Sequence, residues 1–218
     1  MIACATVLEE MLPFIPPDVS YEVLDFGLHL RPGGLKSALQ ARIDASSAET
    51  ILLGYGLCSM AVVGLRASAS TLVVPKVDDC IAIFLGSRGA YRQQASSEPG
   101  TYYLTKGWIE VGDSPFEEYQ RMSERYGAAK ADRLIRLSLK HYKRVCFINT
   151  GGGDLERYHA YAQRMAQQFD LRYEEVEGSP ALVKKLIEGP WDADFVVTPP
   201  GEAMTFAMFV NTPAPAAA

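Results

Sequence analysis

Residues 49–87, ETILLGYGLCSMAVVGLRASASTLVVPKVDDCIAIFLGS, decide the fold class of this chain. The stretch holds two short apolar runs, Ile51–Leu53 and Leu72–Val74, and each run ends in a turn. Short apolar runs bounded by glycine or proline are typical of buried strands in a parallel sheet. A cysteine follows each turn, Cys58 after the first and Cys80 after the second. Because ligands of open α/β sheets bind beyond the carboxyl ends of the strands, both cysteines are candidates for a functional site.

The sequence on both sides of this stretch predicts further strands and helices. Strands are predicted at residues 1–4, 21–26, 51–54, 71–74, 145–148, 171–176 and 195–198. Helices are predicted at residues 35–45, 59–67, 80–85, 115–126, 128–142, 155–169 and 179–188. This alternation predicts an α/β fold with mostly parallel sheets flanked by helices. We expect two β-α halves facing one cleft, residues 1–110 and 111–210, and a disordered tail at residues 211–218.

A polar, irregular stretch at residues 86–108 interrupts the alternating pattern. It carries an aromatic cluster formed by Tyr102, Tyr103 and Trp108. Long stretches without regular structure inside compact proteins are usually functional, so this one predicts a lid. We expect Tyr103 and Trp108 to contact the substrate by excluding water or by stacking on a flat ligand such as a pterin or corrinoid.

Composition and charge narrow the class of protein. The 218 residues are 48% hydrophobic, which is enough for one sizeable core or two smaller ones. The net charge of -5 argues against a nucleic-acid binder held by phosphate contacts. No apolar run reaches the roughly 18 to 20 residues that cross a bilayer, so no membrane partner is expected. We therefore expect a cytoplasmic protein whose four cysteines are reduced.

Four residues with metal-ligand chemistry follow successive predicted strands. Cys4 ends the first strand, His29 follows the second, and Cys58 and Cys80 follow the third and fourth. If these strands are parallel, the four side chains approach one edge of a sheet. Cysteine thiolate and neutral imidazole are the preferred ligands of zinc, so we expect zinc or another transition metal here. The alternative is that the cysteines are small buried hydrophobic residues, since the close C-x-x-C spacing of zinc motifs is missing.

A glycine turn is the candidate anion-binding element of the second half. Gly151, Gly152 and Gly153 follow the predicted strand at residues 145–148. Such turns let backbone N–H groups approach an anionic part of a substrate at a helix N-terminus. An ordinary tight turn is the alternative. Arg31 is a second candidate for substrate binding, with a solvated surface charge as its alternative.

Three acidic residues are candidates for proton transfer or for orienting a ligand. Asp78 and Asp79 directly precede Cys80, and Glu202 follows the last predicted strand. A carboxylate at the carboxyl end of a strand can orient a metal-bound histidine or act as a general base. At least one of the paired aspartates is also expected to cap the helix that begins at Cys80.

Four segments of the chain resemble a bacterial and archaeal family catalogued only as a domain of unknown function. In that family they recur as D-Y-G-L-H-x-R-P, G-Y-G-L-C, P-R-x-D-D-C-I and P-G-T-Y-Y-L-T-x-G-W. The corresponding segments here are DFGLHLRP at residues 25–32, GYGLC at 54–58, PKVDDCI at 75–81 and PGTYYLTKGW at 99–108. This chain has Phe26 where the family has tyrosine and Lys76 where it has arginine.

The resemblance implies a role in methyl-group transfer, because members are often encoded beside corrinoid-dependent methyltransferases and corrinoid proteins. Combined with the candidate metal site, it favours activation of a thiol or another small acceptor for methyl transfer. A non-catalytic accessory protein that hands a corrinoid or metal to a partner methyltransferase is the alternative. A metal-free enzyme with Cys58 or Cys80 as its nucleophile is a third hypothesis.

Overall fold

The computed structural model describes residues 1–30, 32–111 and 114–210. The strands in these ranges are β1 (Ile2–Cys4), β2 (Glu22–Leu24), β3 (Thr50–Gly54), β4 (Thr71–Pro75), β5 (Thr101–Leu104), β6 (Arg144–Asn149), β7 (Arg172–Glu177) and β8 (Phe195–Thr198). The α-helices are α1 (Ala5–Met11), α2 (Pro32–Ala45), α3 (Cys80–Phe84), α4 (Arg88–Ser97), α5 (Lys106–Val111), α6 (Pro115–Tyr126), α7 (Ala128–Ser138), α8 (Leu155–Gln168) and α9 (Ala181–Glu188). Among the helices described, none is long and apolar enough to cross a membrane. The predicted α/β class is confirmed.

The chain divides into two compact units. The first unit contains Met1–Arg88 together with the chain from Pro180 onward, and the second contains Gly89–Ser179. This division differs from the expected halves at residues 1–110 and 111–210. The physical reason is strand pairing, because β5 pairs with β6 in the second unit while β8 returns to pair with β4 in the first.

The first unit is built on a five-stranded sheet with the order β2-β1-β3-β4-β8. Strands β1 to β4 are parallel to their neighbours, and β8 joins the edge antiparallel to β4. Strands β3 and β4 are buried over four of their five residues, as expected for central strands covered on both faces. Because β1, β3 and β4 are parallel neighbours, their carboxyl ends meet at one edge, which we call the carboxyl edge.

The second unit is built on a parallel three-stranded sheet with the order β5-β6-β7. One face of this sheet carries an apolar core in which Leu104, Val145 and Phe147 pack with Ala162 and Met165 of α8. The central strand β6 is buried over its first five residues, so it is covered on both faces.

The opposite face of the three-stranded sheet carries a buried arginine. The guanidinium of Arg144, 1% exposed, donates to Thr101 Oγ1 at 2.9 Å, Gln94 Oε1 at 2.9 Å and Glu174 Oε2 at 2.8 Å. These partners lie on β5, α4 and β7, so one side chain connects the helix to the sheet. Its hydrogen bonds meet the usual requirement that a buried charge be paired.

The helix predicted at residues 59–67 is wrong, because residues 59–64 form turns and Arg66 forms an isolated antiparallel bridge with Ala203. The backbone of Gly64 donates to Met204 O at 2.7 Å, and Met204 N donates to Leu65 O at 2.9 Å. These long-range hydrogen bonds take the place of the local pattern that a helix would need.

The lid predicted at residues 86–108 is also wrong as a structural element. The segment forms α4, β5 and the first turn of α5. Helix α4 contains no fully buried residue, so its sequence lacks the apolar periodicity that identifies a helix. The predicted tail at residues 211–218 lies outside the described residues.

Candidate functional site

The carboxyl edge of the first sheet brings three cysteines together. Cys4 is the last residue of β1, Cys58 lies in the loop after β3, and Cys80 is the first residue of α3, after β4. All three side chains are buried. Because β1 pairs with β3 and β3 with β4, all in parallel, these three residues lie at the same edge of the sheet. The predicted convergence of these cysteines on one edge is therefore observed.

Two glycines let the β3 loop approach its neighbours closely. A Cβ atom on Gly54 would lie 2.7 Å from Ala3 Cβ, and one on Gly56 would lie 2.9 Å from Val77 O. Contacts that short do not occur, so any larger residue would push the backbone away. The loop is then fixed to the segment after β4, because Leu57 N donates to Val77 O at 2.9 Å.

The backbone at Cys58 adopts an uncommon conformation. Cys58, Ser59 and Met60 have φ angles of +43°, +54° and +73°, in the left-handed region that favours glycine. Left-handed residues other than glycine cost roughly 1 to 3 kcal/mol each and cluster at functional sites, where surrounding contacts hold them in place. Cys58, Ser59 and Met60 are three consecutive residues of this kind. The loop that they form is therefore a candidate for a functional role.

Burial sets the protonation of the thiols in the ligand-free protein. Desolvation raises the pKa of Cys58 to about 12 and holds the pKa of Cys80 well above its usual value. The pKa of Cys4 is also raised by burial, although the thiol lies 3.3 Å from the Thr6 hydroxyl. These thiols are neutral near pH 7, so none is an activated nucleophile by itself.

Tyr55 is a site residue that the sequence prediction missed. Its side chain is 1% exposed, and its hydroxyl has no hydrogen-bond partner among the described residues. Burial raises the pKa of Tyr55 most, and the thiols of Cys4, Cys58 and Cys80 raise it further. The hydroxyl is therefore neutral near pH 7 and can donate a hydrogen bond. A buried polar group without a partner costs about 1–3 kcal/mol. The signal that could have found Tyr55 is its position between two glycines in GYGLC.

His29 lies beside Tyr55, in a 3₁₀ helix covering Phe26–Leu30. The ring of His29 stacks on both Phe26 and Tyr55, with ring centroids 5.1 Å and 6.2 Å apart. Because a carbonyl can only accept, His29 Nδ1–H donates to Phe26 O at 3.0 Å. In the neutral ring this leaves the lone pair on Nε2, the arrangement that metal-binding histidines commonly show.

The metal site predicted for His29, Cys58, Cys80 and Cys4 is not preformed in this structure. Over the described ranges, no three histidine, cysteine, aspartate or glutamate side chains form a group that could hold a metal ion. The donor types are those that zinc prefers, and three of the four converge. Metal binding at this edge would require these side chains to move closer together.

Asp79 caps the helix that begins at Cys80. Its Oδ1 accepts a hydrogen bond from Ile81 N at 2.9 Å, as expected for an N-cap. Asp78 points to another partner, the Arg88 guanidinium, 3.4 Å from its Oδ1. Arg88 in turn donates to Phe209 O at 3.0 Å. The capping prediction is confirmed for Asp79, and the general-base role of both aspartates stays a prediction.

Glu202 is a predicted site residue that lies away from the cysteines. Glu202 follows β8, and because β8 is antiparallel to β4, its carboxyl end lies beside the amino end of β4. Gly201 N accordingly donates to Ala67 O, just before β4, and Glu202 is exposed. The expectation that Glu202 shares an edge with the cysteines is wrong for this reason. Arg31 lies outside the described residues.

The glycine turn belongs to the second unit. Gly151, Gly152 and Gly153 all have positive φ angles, between +70° and +78°. Some of its polar groups already have partners: Gly151 N donates to Asn149 Oδ1 at 2.9 Å, and Lys106 Nζ donates to Gly151 O at 3.2 Å. The α8 N-terminus is capped by Asp154, whose Oδ1 accepts from Arg157 N. Anion binding by this turn stays a prediction.

Tyr103 and Trp108 are also part of the second unit. Trp108 is partly buried against its apolar core. The hydroxyl of Tyr103 is buried, and its ring lies 6.3 Å from that of Tyr91. Both side chains are integrated into regular elements rather than a lid. Their contact with a substrate stays a prediction.

Fold and site together define an α/β protein with a buried, cysteine-lined carboxyl edge. The chain belongs to the family described as Protein of unknown function (DUF1638), which it matches over residues 23–187. No curated protein and no solved structure gives a significant match. The matched range includes Tyr55, Cys58 and Cys80 but not Cys4.

Proposed function

We propose that the carboxyl edge activates a small thiol, or another small acceptor, for methyl-group transfer. His29, Cys58 and Cys80 are the proposed ligands of zinc or another transition metal, and Cys4 is the fourth candidate. The observation that carries this proposal is the convergence of three buried cysteines at the place where α/β sheets bind ligands.

The left-handed loop supports a functional rather than a packing role for these cysteines. A cysteine that served only as a small hydrophobic residue would not require three successive residues in the left-handed region. The preceding glycines press the same loop against β1 and the β4 loop, so its position is closely determined. A bound metal would hold a thiolate deprotonated near neutral pH, which makes its sulfur a competent nucleophile.

In the proposed step, the acceptor sulfur forms a bond to the methyl carbon as the bond between cobalt and carbon breaks. The electron pair of the broken bond stays on cobalt, and the acceptor's thiol proton leaves to solvent or to a carboxylate such as Asp79. The link to a corrinoid methyl donor rests on the family resemblance alone. Candidate partners are therefore a corrinoid protein or a methyltransferase.

Metal analysis tests the first part of this proposal. Protein purified without chelator should contain near-stoichiometric zinc or another transition metal by elemental analysis. The Cys58→Ala and Cys80→Ala variants should lose it, while Cys146→Ala, which removes a buried thiol from β6 in the second unit, should retain it. Wild-type protein that binds no metal, even after incubation with Zn²⁺, would overturn the metal site.

Methyl transfer is tested with methylcobalamin as donor and ethanethiol as acceptor. Formation of ethyl methyl sulfide that depends on Cys58 and Cys80 supports the enzyme. Cobalamin or metal binding without turnover instead supports an accessory protein that serves a partner methyltransferase. Rapid iodoacetamide labelling of a single cysteine below neutral pH, with or without metal, would favour a metal-free cysteine nucleophile.

A further inference from the structure

The Tyr55 hydroxyl is a buried hydrogen-bond donor that nothing in the described protein accepts. The ring has a clear structural role, because it is buried in the core and stacks on His29. A phenylalanine would supply the same apolar surface and the same stacking without the unpartnered oxygen. Packing therefore explains the ring of Tyr55 but leaves its hydroxyl unexplained.

The position of Tyr55 is fixed by the chain on both sides. Gly54 is pressed against Ala3 of β1, and Gly56 is pressed against Val77 and Asp79 of the β4 loop. The neighbouring thiols cannot serve the hydroxyl well, because neutral thiols are weak acceptors. The missing partner is an atom with an available lone pair, and Tyr55 directly follows β3, at the carboxyl edge where Cys4, Cys58 and Cys80 also lie.

We propose that the Tyr55 hydroxyl binds the ligand of the carboxyl edge by donating a hydrogen bond to its acceptor atom. The ligand is a small molecule whose reactive oxygen or sulfur carries a lone pair, with a thiolate as the preferred class. This inference rests on the proposed function of the edge as a thiol-activating site. Tyr55 would then bind the substrate through its hydroxyl, whereas the cysteines would bind the metal.

The experiment compares Tyr55→Phe with wild type and with a matched control, Tyr173→Phe. Tyr173 also carries a buried hydroxyl without a hydrogen-bond partner among the described residues, but it lies on β7 of the second unit. Zn²⁺ binding is measured first by calorimetry, and ethanethiol binding to the zinc-loaded proteins is measured next. Thermal unfolding of the ligand-free proteins shows whether either hydroxyl has a structural role.

Support for the proposal is a specific loss of ethanethiol binding. Tyr55→Phe should bind Zn²⁺ like wild type but ethanethiol about three- to tenfold more weakly, the effect of one hydrogen bond. Tyr173→Phe should bind both like wild type, and the unfolding temperature of ligand-free Tyr55→Phe should be unchanged or higher.

Two results would overturn the proposal, and they can be told apart. Equal ethanethiol affinity of Tyr55→Phe and wild type, with normal Zn²⁺ binding, overturns the role of Tyr55 alone. Absence of both Zn²⁺ and ethanethiol binding in the wild-type protein overturns the proposed function and this inference with it. If the first of these results comes with a lower unfolding temperature of Tyr55→Phe, the hydroxyl has a structural role instead.

Discussion

The backbone amide of Cys58 donates a hydrogen bond to the carbonyl oxygen of Asp78 at 3.1 Å. This bond joins the loop after β3 to the loop after β4, two residues before Cys80. It lies outside the sheet, so it continues the pairing of the two strands past their carboxyl ends. Cys58 and Cys80 are 22 positions apart in the sequence, and this contact is one reason that they share a site.

Replacing Gly56 by alanine should destabilise the first unit. The added Cβ would lie 2.9 Å from Val77 O and 3.0 Å from Asp79 N, and backbone atoms cannot rotate away as a side chain can. Overpacking of this kind costs about 1–3 kcal/mol. Urea denaturation of Gly56→Ala should show a loss of unfolding free energy in this range.

Gly33→Ala is the matched control for that change. Gly33 lies in α2, and a Cβ there would meet nothing within 4 Å. Alanine is favoured over glycine in a helix interior by about 0.5–1 kcal/mol, and Gly33 lies in the first turn, so this variant should be at least as stable as wild type. Equal stability of the two variants would contradict the close approach of the loops.

Ser114, the N-cap of α6, and Ser123, within α6, should respond oppositely to substitution by alanine. Ser114 caps the helix, since its hydroxyl accepts from Phe116 N at 3.1 Å and bonds to Glu117 and Tyr161. Loss of such a cap costs about 0.5–2 kcal/mol. Ser114→Ala should lower the unfolding free energy by this amount, as measured by urea denaturation.

The comparison for Ser114 is Ser123, in the interior of the same helix. The Ser123 hydroxyl is buried and has no hydrogen-bond partner in the parts of the chain described. Alanine removes that polar group and is the better helix former. Ser123→Ala should therefore match or exceed wild-type stability, and a loss as large as that of Ser114→Ala would refute the assignment.

The strands and the helix cap of the first unit could be predicted from the sequence because their signals are local. The apolar runs at β3 and β4 bounded by glycine and proline identify buried strands, and Asp79 before Cys80 identifies a helix start. The convergence of Cys4, Cys58 and Cys80 followed from one further assumption, that neighbouring strands are parallel. That assumption holds for β1, β3 and β4.

The remaining features depend on contacts that local patterns do not carry. The direction of β8 decides on which side Glu202 lies, yet an antiparallel edge strand has the same apolar pattern as a parallel one. The turns at residues 59–67 depend on backbone bonds to Met204, far along the chain. Helix α4 has no buried residue, and one of its contacts with the sheet is a hydrogen bond from Arg144 to the polar side chain of Gln94. A helix held in this way has no apolar periodicity to identify it. Tyr55 is a candidate because its buried hydroxyl has no hydrogen-bond partner among the described residues, and the sequence alone cannot show this.

The ion pair between Arg144 and Glu174 predicts a specific dependence of stability on pH. The hydrogen bond from Arg144 holds the pKa of the Glu174 carboxyl below its usual value. A group with a lowered pKa in the folded state stabilises the protein above its unfolded pKa, about 4.3 for glutamate, and loses that contribution as pH falls through the folded pKa. Wild type should therefore exceed Glu174→Gln in unfolding free energy near pH 7.

That difference should shrink as the pH is lowered from about 5 to 3, because the wild-type carboxyl is then protonated like the neutral amide. Chemical denaturation at several pH values measures it directly. Glu174 is partly exposed, so high salt should also reduce the difference. A difference that is independent of both pH and salt would show that the pair does not contribute through its charge.

Asp79 is the residue at which capping and proton transfer can be separated. Asparagine caps helices about as well as aspartate, whereas alanine costs about 0.5–2 kcal/mol. Because Asp79 Oδ1 accepts from Ile81 N, Asp79→Asn should keep wild-type stability and Asp79→Ala should lose stability in urea denaturation.

The same Asp79→Asn variant tests proton transfer, because asparagine cannot accept a proton as a general base. If Asp79 takes the acceptor's proton, Asp79→Asn should therefore reduce ethyl methyl sulfide formation from methylcobalamin and ethanethiol by about 10²-fold or more. Wild-type turnover by this variant would limit Asp79 to holding the helix that presents Cys80.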